Sequence, residues 1–375
     1  MPADVLERQA DQLARDYRAL QGDLAAQARA ELDKPGWQGV RQIYMVGTGD
    51  SLSAGLAAQL AFETIAGVTC IPYGAQAFAD YALASCRLQQ GADDVAVVAC
   101  SASGRTPEAV AAVAAARELG VHTLAITGDP AGRIAAAADG TLTAELVGQE
   151  RSPGIRSYQA TLLGLLNLAV ELGAVTGRAR PGVARLAAEL SSLAGAIEET
   201  TRLARRAAGE AAALIQAAPT ALMLGTGPGF GTARFAAAKI TEGLGLVAAA
   251  QDLDEWWHIE RFVQSPEVPM FLIAPPGRSA LTALRVALAG RQLGRRVVVV
   301  SEAANQPLVS QADFVLPVSG QVTEEFSALL YHIFAGYLVA AMSASRRYVF
   351  DDRPADLPRT LDGFTAGPEN WQMEG

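Results

Sequence analysis

Histidine, cysteine and lysine are all scarce in this chain of 375 residues, and each scarcity removes a class of chemistry. Three histidines (His122, His258 and His332) are too few for a histidine-rich metal centre. Three scattered cysteines (Cys70, Cys86 and Cys100) make neither a disulfide frame nor a zinc site. Lysine occurs only as Lys34 and Lys239, beside 28 arginines. Any Schiff-base reaction therefore has two candidates, and Lys34 lies in a polar linker before Pro35-Gly36. The formal charge is −9 with no basic cluster, which argues against nucleic acid as a partner. No apolar run is expected to reach membrane-spanning length. The N-terminus, MPADVLERQADQLARDYRAL, is charged and periodic, unlike a signal peptide. These absences lead to the expectation of a soluble cytoplasmic α/β protein with no membrane, no metal and no cofactor.

What is present is a strand–helix plan used twice. Half of the residues are hydrophobic, enough for two domains with cores of their own. Residues 2–33 read as one amphipathic helix. QIYMV (42–46) is a strand, followed by Gly47-Thr48-Gly49-Asp50-Ser51 and a helix to about Ile65. Further strands are expected near 69–73, at 95–100 and at HTLAIT (122–127), with a helix over 107–119. A helical stretch, 156–216, precedes a restart: the strand ALMLG (221–225), a tight turn, and a helix over 230–246. PMFLIA (269–274), RVVVVS (296–301) and FVLPV (314–318) complete the strands. Alternation of this kind predicts two tandem doubly wound parallel sheets. The same Gly-Thr-Gly follows the first strand of each half, at 47–49 and 225–227, as duplication would leave it.

The chemistry concentrates where the 95–100 strand ends, in Ser101-Ala102-Ser103-Gly104-Arg105-Thr106-Pro107-Glu108. A helix starting there leaves its first N–H groups unpaired and its dipole positive, so an anion is favoured. Ser101, Ser103 and Thr106 can add O–H donors, and Gly104 lets the backbone approach closely. Capping alone would need one such hydroxyl. The spacing is not that of a nucleotide P-loop, and no lysine follows. In the second half Pro275-Pro276-Gly277-Arg278-Ser279 stands in the corresponding place, so one anion site per chain is expected.

S-A-S-G-R-T-P-E resembles the S-x-S-G-x-T phosphosugar loop of the sugar isomerase (SIS) domain family, and two such flavodoxin-like domains would span roughly 37–345. The resemblance implies an N-terminal helix (1–36), a phosphosugar-binding domain (37–180), a catalytic domain (181–345) and a tail (346–375) closing the site. Ser51, Ser101, Ser103 and Thr106 would then hold a sugar's terminal phosphate, with Gly49 and Gly104 shaping the loops. The arrangement is similar to the isomerase half of glucosamine-6-phosphate synthase and to ketosamine deglycases and aminosugar deaminases. No glutaminase segment is seen, so ammonia delivery from glutamine is not implied. In the family a helix glutamate is followed sixteen residues later by a loop histidine, and Lys239-Ile240-Thr241-Glu242 with Trp256-Trp257-His258 has that spacing. Glu242 would shuttle a proton between C1 and C2, and His258 would open the ring. Lys239 would pair with Glu242 or touch the substrate. The family's histidine comes from a neighbouring subunit, which implies a homodimer with a shared site.

The departures carry information too. His258-Ile259-Glu260-Arg261 replaces the usual H-G-P, Arg156 replaces the lysine after the first domain, and Arg353 and Arg359 stand near the place of a C-terminal lysine. Arginine positions or neutralises charge but forms no imine at neutral pH. Asp50 beside Ser51 would repel a phosphate unless turned away as a helix cap. Glu260 and the tryptophan pair suggest a substrate other than plain glucosamine 6-phosphate, and an amino sugar or an adduct with an amino acid would be compatible with the added carboxylate. His122 and His332 read as structural. A non-catalytic sugar-phosphate regulator, or a sugar with another anionic end group, is the alternative reading.

Overall fold

The apolar runs become strands buried on both faces, as parallel sheets flanked by helices require. The computed structural model describes residues 3–85, 93–178, 181–216, 218–263 and 265–343. In the first unit β1 (Gln42–Gly47) leads through α3 (Asp50–Ala61) to β2 (Thr69–Gly74), after two N-terminal helices, α1 (Ala3–Asp11) and α2 (Leu13–Leu32). Then come β3 (Val95–Ser101), α4 (Pro107–Glu118), β4 (His122–Thr127) and β5 (Gly140–Thr143). Three helices, α5 (Arg156–Thr176), α6 (Val183–Ser192) and α7 (Ala194–Ile215), lead to the second unit. There β6 (Ala221–Leu224), α8 (Pro228–Leu244), β7 (Ala248–Gln251) and α9 (Leu253–His258) precede β8 (Met270–Ile273), α10 (Ala280–Gln292), β9 (Val297–Glu302), β10 (Phe314–Val318) and α11 (Ile333–Ser343).

The sheets run β2-β1-β3-β4-β5 and β10-β9-β8-β6-β7, all parallel. Read from the opposite edge, the second order is the first repeated. The turn after the first strand repeats as well: Gly49 has φ 59° and ψ −119°, Gly227 φ 58° and ψ −128°. Only glycine adopts this conformation readily, so the backbone itself carries the duplication.

One apolar core runs across both units, and α3 and α8 cross inside it. They meet at Gly231, where a β-carbon would lie 2.4 Å from the Ala57 nitrogen and 2.7 Å from the Ser53 oxygen. Separate smaller clusters close the outer face of each sheet.

Four sequence expectations are corrected. The N-terminal helix is two helices meeting at Gln12, because α1 packs on α11 of the second unit while α2 packs on α5 of the first. The helical stretch 156–216 divides into three helices. Strands β5 (GTLT) and β7 (AAAQ) were not foreseen; both are sheet-edge strands with little apolar signal. Two stretches, Arg156–Thr176 and Glu324–Ser343, do have the length and apolarity to span a membrane, and both are largely buried within the fold. Burying each large apolar side chain contributes ~1.5–3 kcal/mol, so core packing accounts for their composition.

Candidate active site

Strands β1 and β3 are neighbours, with Val46 opposite Ala99, so the 47–51 turn and the 101–106 loop leave the sheet side by side. This is the point where strand order reverses, the place where doubly wound sheets hold ligands. Ser101 is buried, and its Oγ lies 3.0 Å from Thr106 Oγ1. Gly104, at φ 67°, donates its N–H to the Ser101 carbonyl at 2.9 Å. The loop folds tightly over Gly132, and a β-carbon at Gly104 would lie 3.0 Å from that residue's α-carbon. Ser103 is exposed and accepts the Arg105 N–H at 3.3 Å.

Thr106 is the N-cap of α4, yet its side chain makes no capping hydrogen bond. Its hydroxyl is turned to Ser101 instead. The first turn of α4 therefore keeps its unpaired N–H groups, and the hydroxyls are not consumed in satisfying them. Gly49 is the N-cap of α3, which likewise starts without a side-chain cap. Ser51 is half-buried in the first turn of that helix.

Opposite these loops, α8 carries Lys239 and Glu242. Lys239 is fully buried, and its Nζ lies 2.6 Å from Glu242 Oε2 and 2.7 Å from Asp50 Oδ2. The side chain runs past Phe235, with Nζ 5.3 Å from the ring centre. A lone buried ammonium is costly, and pairing with two carboxylates offsets part of that cost. Glu242 keeps 40% of its side chain exposed, so it sits at the open side of the triad. Asp50 is turned away from Ser51, as its charge demands, but toward Lys239 rather than into a cap. Its Oδ1 is buried without a partner, and this desolvation pushes the carboxyl up to about 6, with Lys239 opposing and Glu242 reinforcing the rise.

The floor beneath the triad is aromatic. Tyr158 stacks on Phe235 with centroids 3.9 Å apart, and the His332 ring lies 5.2 Å from Tyr158 and 5.8 Å from Phe235. Burial lowers His332 to about 4, and its Nδ1 lies 2.9 Å from the Ala328 carbonyl, so it is a neutral packing residue. His122 packs edge-on against Trp37 with centroids 4.6 Å apart. A cavity of about 50 Å³ lies between Ala102 of the loop and Ser157 and Thr161 of α5. Gly154 closes the circuit, because a β-carbon there would lie 2.8 Å from both Asp50 Oδ2 and Ser157 Oγ.

Several expected contributors are elsewhere. Arg156 is buried and bonded to both Asp16 oxygens (2.6 and 2.8 Å) and to the Val147 and Gly148 carbonyls. Its guanidinium fastens the loop before α5, whereas the sequence leads one to expect it at the substrate. His258 ends α9 instead of lying on a loop; its side chain is 63% exposed and 3.9 Å from Asp254. Glu260 accepts from Gln251 at 3.0 Å. Trp256 is core, while Trp257 is partly exposed beneath Arg261. Cys70 and Cys100 are free and buried. Cys86, Arg353, Arg359 and the 346–375 tail lie outside the described residues. The residue the sequence reading undervalued is Asp50. The signal was available: a carboxylate where an anion site was expected, in a chain with one lysine on an apolar helix.

A site built on hydroxyls and helix starts at the ends of duplicated parallel sheets defines a class, and residues 38–170 match the family described as SIS domain. That match covers the first unit of the chain. The chain is 25% identical over 347 residues to the glutamine–fructose-6-phosphate aminotransferase [isomerizing] of Gloeobacter violaceus, covering 91% of this chain and 55% of that protein. A second aminotransferase of the same description, from Aeropyrum pernix, is 25% identical over 341 residues, covering 86% and 51%. The chain thus spans about half the length of the curated relatives it matches. In fold it is similar to the C-terminal domain of the glucosamine-fructose-6-phosphate aminotransferase of Francisella tularensis, with a TM-score of 0.77, 17% identity, and 91% and 94% of the two chains covered. Glucosamine-6-phosphate deaminase from Thermotoga maritima gives a TM-score of 0.73 at 19% identity, covering 94% and 97%. Double-unit architecture is therefore common to the whole described chain and these structures.

Proposed function

We propose that this chain is an enzyme of the phosphosugar isomerase type, acting on a phosphorylated, amino-bearing sugar as an aldose–ketose isomerase or as a related deaminase or deglycase. The observation that carries this reading is the uncapped start of α4, lined by Ser101, Ser103 and Thr106, on a fold that also brings Asp50, Lys239 and Glu242 together. The loop hydroxyls and N–H groups take the sugar's anionic end, with Ser51 adding a donor from the neighbouring helix start. Glu242, at the open side of the triad, takes the proton from one carbon and returns it to the next. Fructose 6-phosphate and glucosamine 6-phosphate, named for the similar proteins, are consistent with this substrate class. His258 is exposed and distant in its bonding from the triad, as a residue offered to a second copy's site would be, and on this reading the active form is a homodimer.

The test is Glu242→Gln, which preserves size and hydrogen bonding but removes the base. General-base catalysis contributes ~10²–10⁴-fold, so kcat for isomerisation of hexosamine 6-phosphates should fall by that order. Deuterium exchange at C1 or C2 in heavy water should be lost, while binding of the phosphosugar, read by thermal shift, persists. Near-normal turnover in the variant would sink the shuttle. Binding without turnover in the unsubstituted protein would identify a sugar-phosphate sensor, the reading that the altered His258-Ile259-Glu260-Arg261 stretch favours.

A further inference from the structure

Lys239 is shared between carboxylates that come from different units: Asp50 from the start of α3 and Glu242 from its own helix, at 2.7 and 2.6 Å. We propose that Asp50 is a positioning residue for the proton transfer, holding the Lys239 ammonium between the two carboxylates so that it does not neutralise Glu242 outright. The inference rests on the reading of Glu242 as the proton shuttle.

The argument is one of charge and place. One ammonium and two carboxylates carry a net charge of −1 when all are ionised. Glu242 alone would suffice to neutralise a buried lysine, so a second carboxylate is surplus to that structural need. Its presence divides the attraction of Lys239 in two. Without the charge at position 50, the ammonium belongs wholly to Glu242, and proton abstraction by that carboxylate costs more. The geometry also resists relaxation. Lys239 is fully buried, and Gly154 leaves only hydrogen-sized space beside Asp50 Oδ2. The titratable groups facing Asp50 are Lys239 and Glu242 on α8 and the Tyr158 phenol on α5, whose ionisation burial and the Asp50 charge both oppose.

Asp50 titrates near neutrality, at about 6. As the pH falls through that point the triad loses its surplus charge, and catalysis should weaken with it. Asp50 lies 2.7 Å from the Lys239 ammonium, so the observable is the Asp50 step as the lysine beside it senses it.

The composition supplies a probe that needs no substrate. Lysine occurs only at positions 34 and 239, so protein labelled with carbon-13 at the lysine ε-position gives two signals, and Lys34→Arg identifies the buried one. The Lys239 signal should shift with a midpoint near pH 6 in the unsubstituted protein and lose that step in Asp50→Asn. In parallel, Asp50→Asn should lower kcat for hexosamine 6-phosphate by about tenfold or more, with KM changed by less than about threefold. Its pH–rate profile should lose the same step. Asp50→Glu keeps the charge one methylene further out and should restore part of both effects; it also covers the case in which Asp50→Asn fails to fold. A Lys239 step that survives in Asp50→Asn, or a kcat and pH profile left unchanged, overturns the proposal. The two readings separate cleanly. Normal turnover in Glu242→Gln removes the shuttle whatever the lysine signal does. A lysine signal with no step near pH 6 in the unsubstituted protein removes the Asp50 role even if Glu242→Gln is inactive.

Discussion

At the scale of single residues, the loop from Ser101 to Thr106 shows how a hydroxyl's partner decides its meaning. Thr106 occupies an N-cap position and would be read from sequence as a cap, but its Oγ1 is directed to Ser101 Oγ at 3.0 Å. An N-cap side chain normally contributes about 1 kcal/mol to a helix, and here that contribution is not taken. A bound anion would supply what the cap does not. Hydrogen bonds to a charged group are worth ~1.5–3 kcal/mol each. Thr106→Ala should therefore raise KM for a phosphosugar by about tenfold to a hundredfold, with a smaller change in kcat if the contact is equal in ground and transition states. Steady-state kinetics on a hexosamine 6-phosphate check this, and equal KM values would take Thr106 out of the site. Arg156 teaches the reverse lesson. Its position matched a family substrate residue, yet its donors are taken by Asp16 and two carbonyls inside the fold.

At the scale of elements, the α3–α8 crossing joins the two halves of the site, because α3 begins at Asp50 and α8 carries Lys239. The approach depends on Gly231, whose missing side chain lets the helix backbones touch. The nearest atoms to an added methyl are backbone atoms of Ala57 and Ser53, which cannot swing aside. Gly231→Ala should therefore destabilise the protein at the upper end of, or beyond, the ~1–3 kcal/mol usual for overpacking. The measurement is urea unfolding of the variant beside the unsubstituted chain. A loss below about 0.5 kcal/mol would mean that the helices separate freely, and the Asp50–Lys239 distance would then be poorly defended. The periodicity of FAAAKITEG indicated a helix, but not that it would press on a helix almost two hundred residues earlier.

At the scale of the whole molecule, His332 sits where the units join, between Tyr158 of the first and Phe235 of the second. Its folded pKa is lowered by burial from 6.5 to about 4. The unfolded chain takes up the proton first as pH falls. The stability associated with this neutral imidazole is therefore complete above about 6.5 and is lost between there and about 4. The size follows from the shift, ~3 kcal/mol. Asp50 has the opposite sense. Its folded pKa is raised from 3.8 to about 6, so its contribution is present below the lower value and lost as pH rises through the upper one. The two partly offset each other in the unsubstituted protein, which is why a variant is needed. Relative to His332→Leu, the unsubstituted chain should gain ~3 kcal/mol on going from pH 4 to pH 7 in denaturant unfolding. A difference that stays constant with pH would mean that the imidazole titrates alike in folded and unfolded chains.

The strand–helix alternation, the repeated Gly-Thr-Gly and the hydroxyl loop were all legible in the chain, because local propensity, apolar runs and turn residues are local properties. They determined the two parallel sheets and the position of the hydroxyl loop at a strand end. The edge strands GTLT and AAAQ were not legible, since neither has enough apolar character to stand out without a neighbour to pair with. The sixteen-residue spacing from Glu242 to His258 was visible, but not that His258 would end a short helix with its side chain in solvent. Only the tertiary structure decided that Asp50 would meet Lys239, 189 positions away, because that pairing depends on two helices crossing at a glycine and on burial that leaves a lysine no partner but carboxylates.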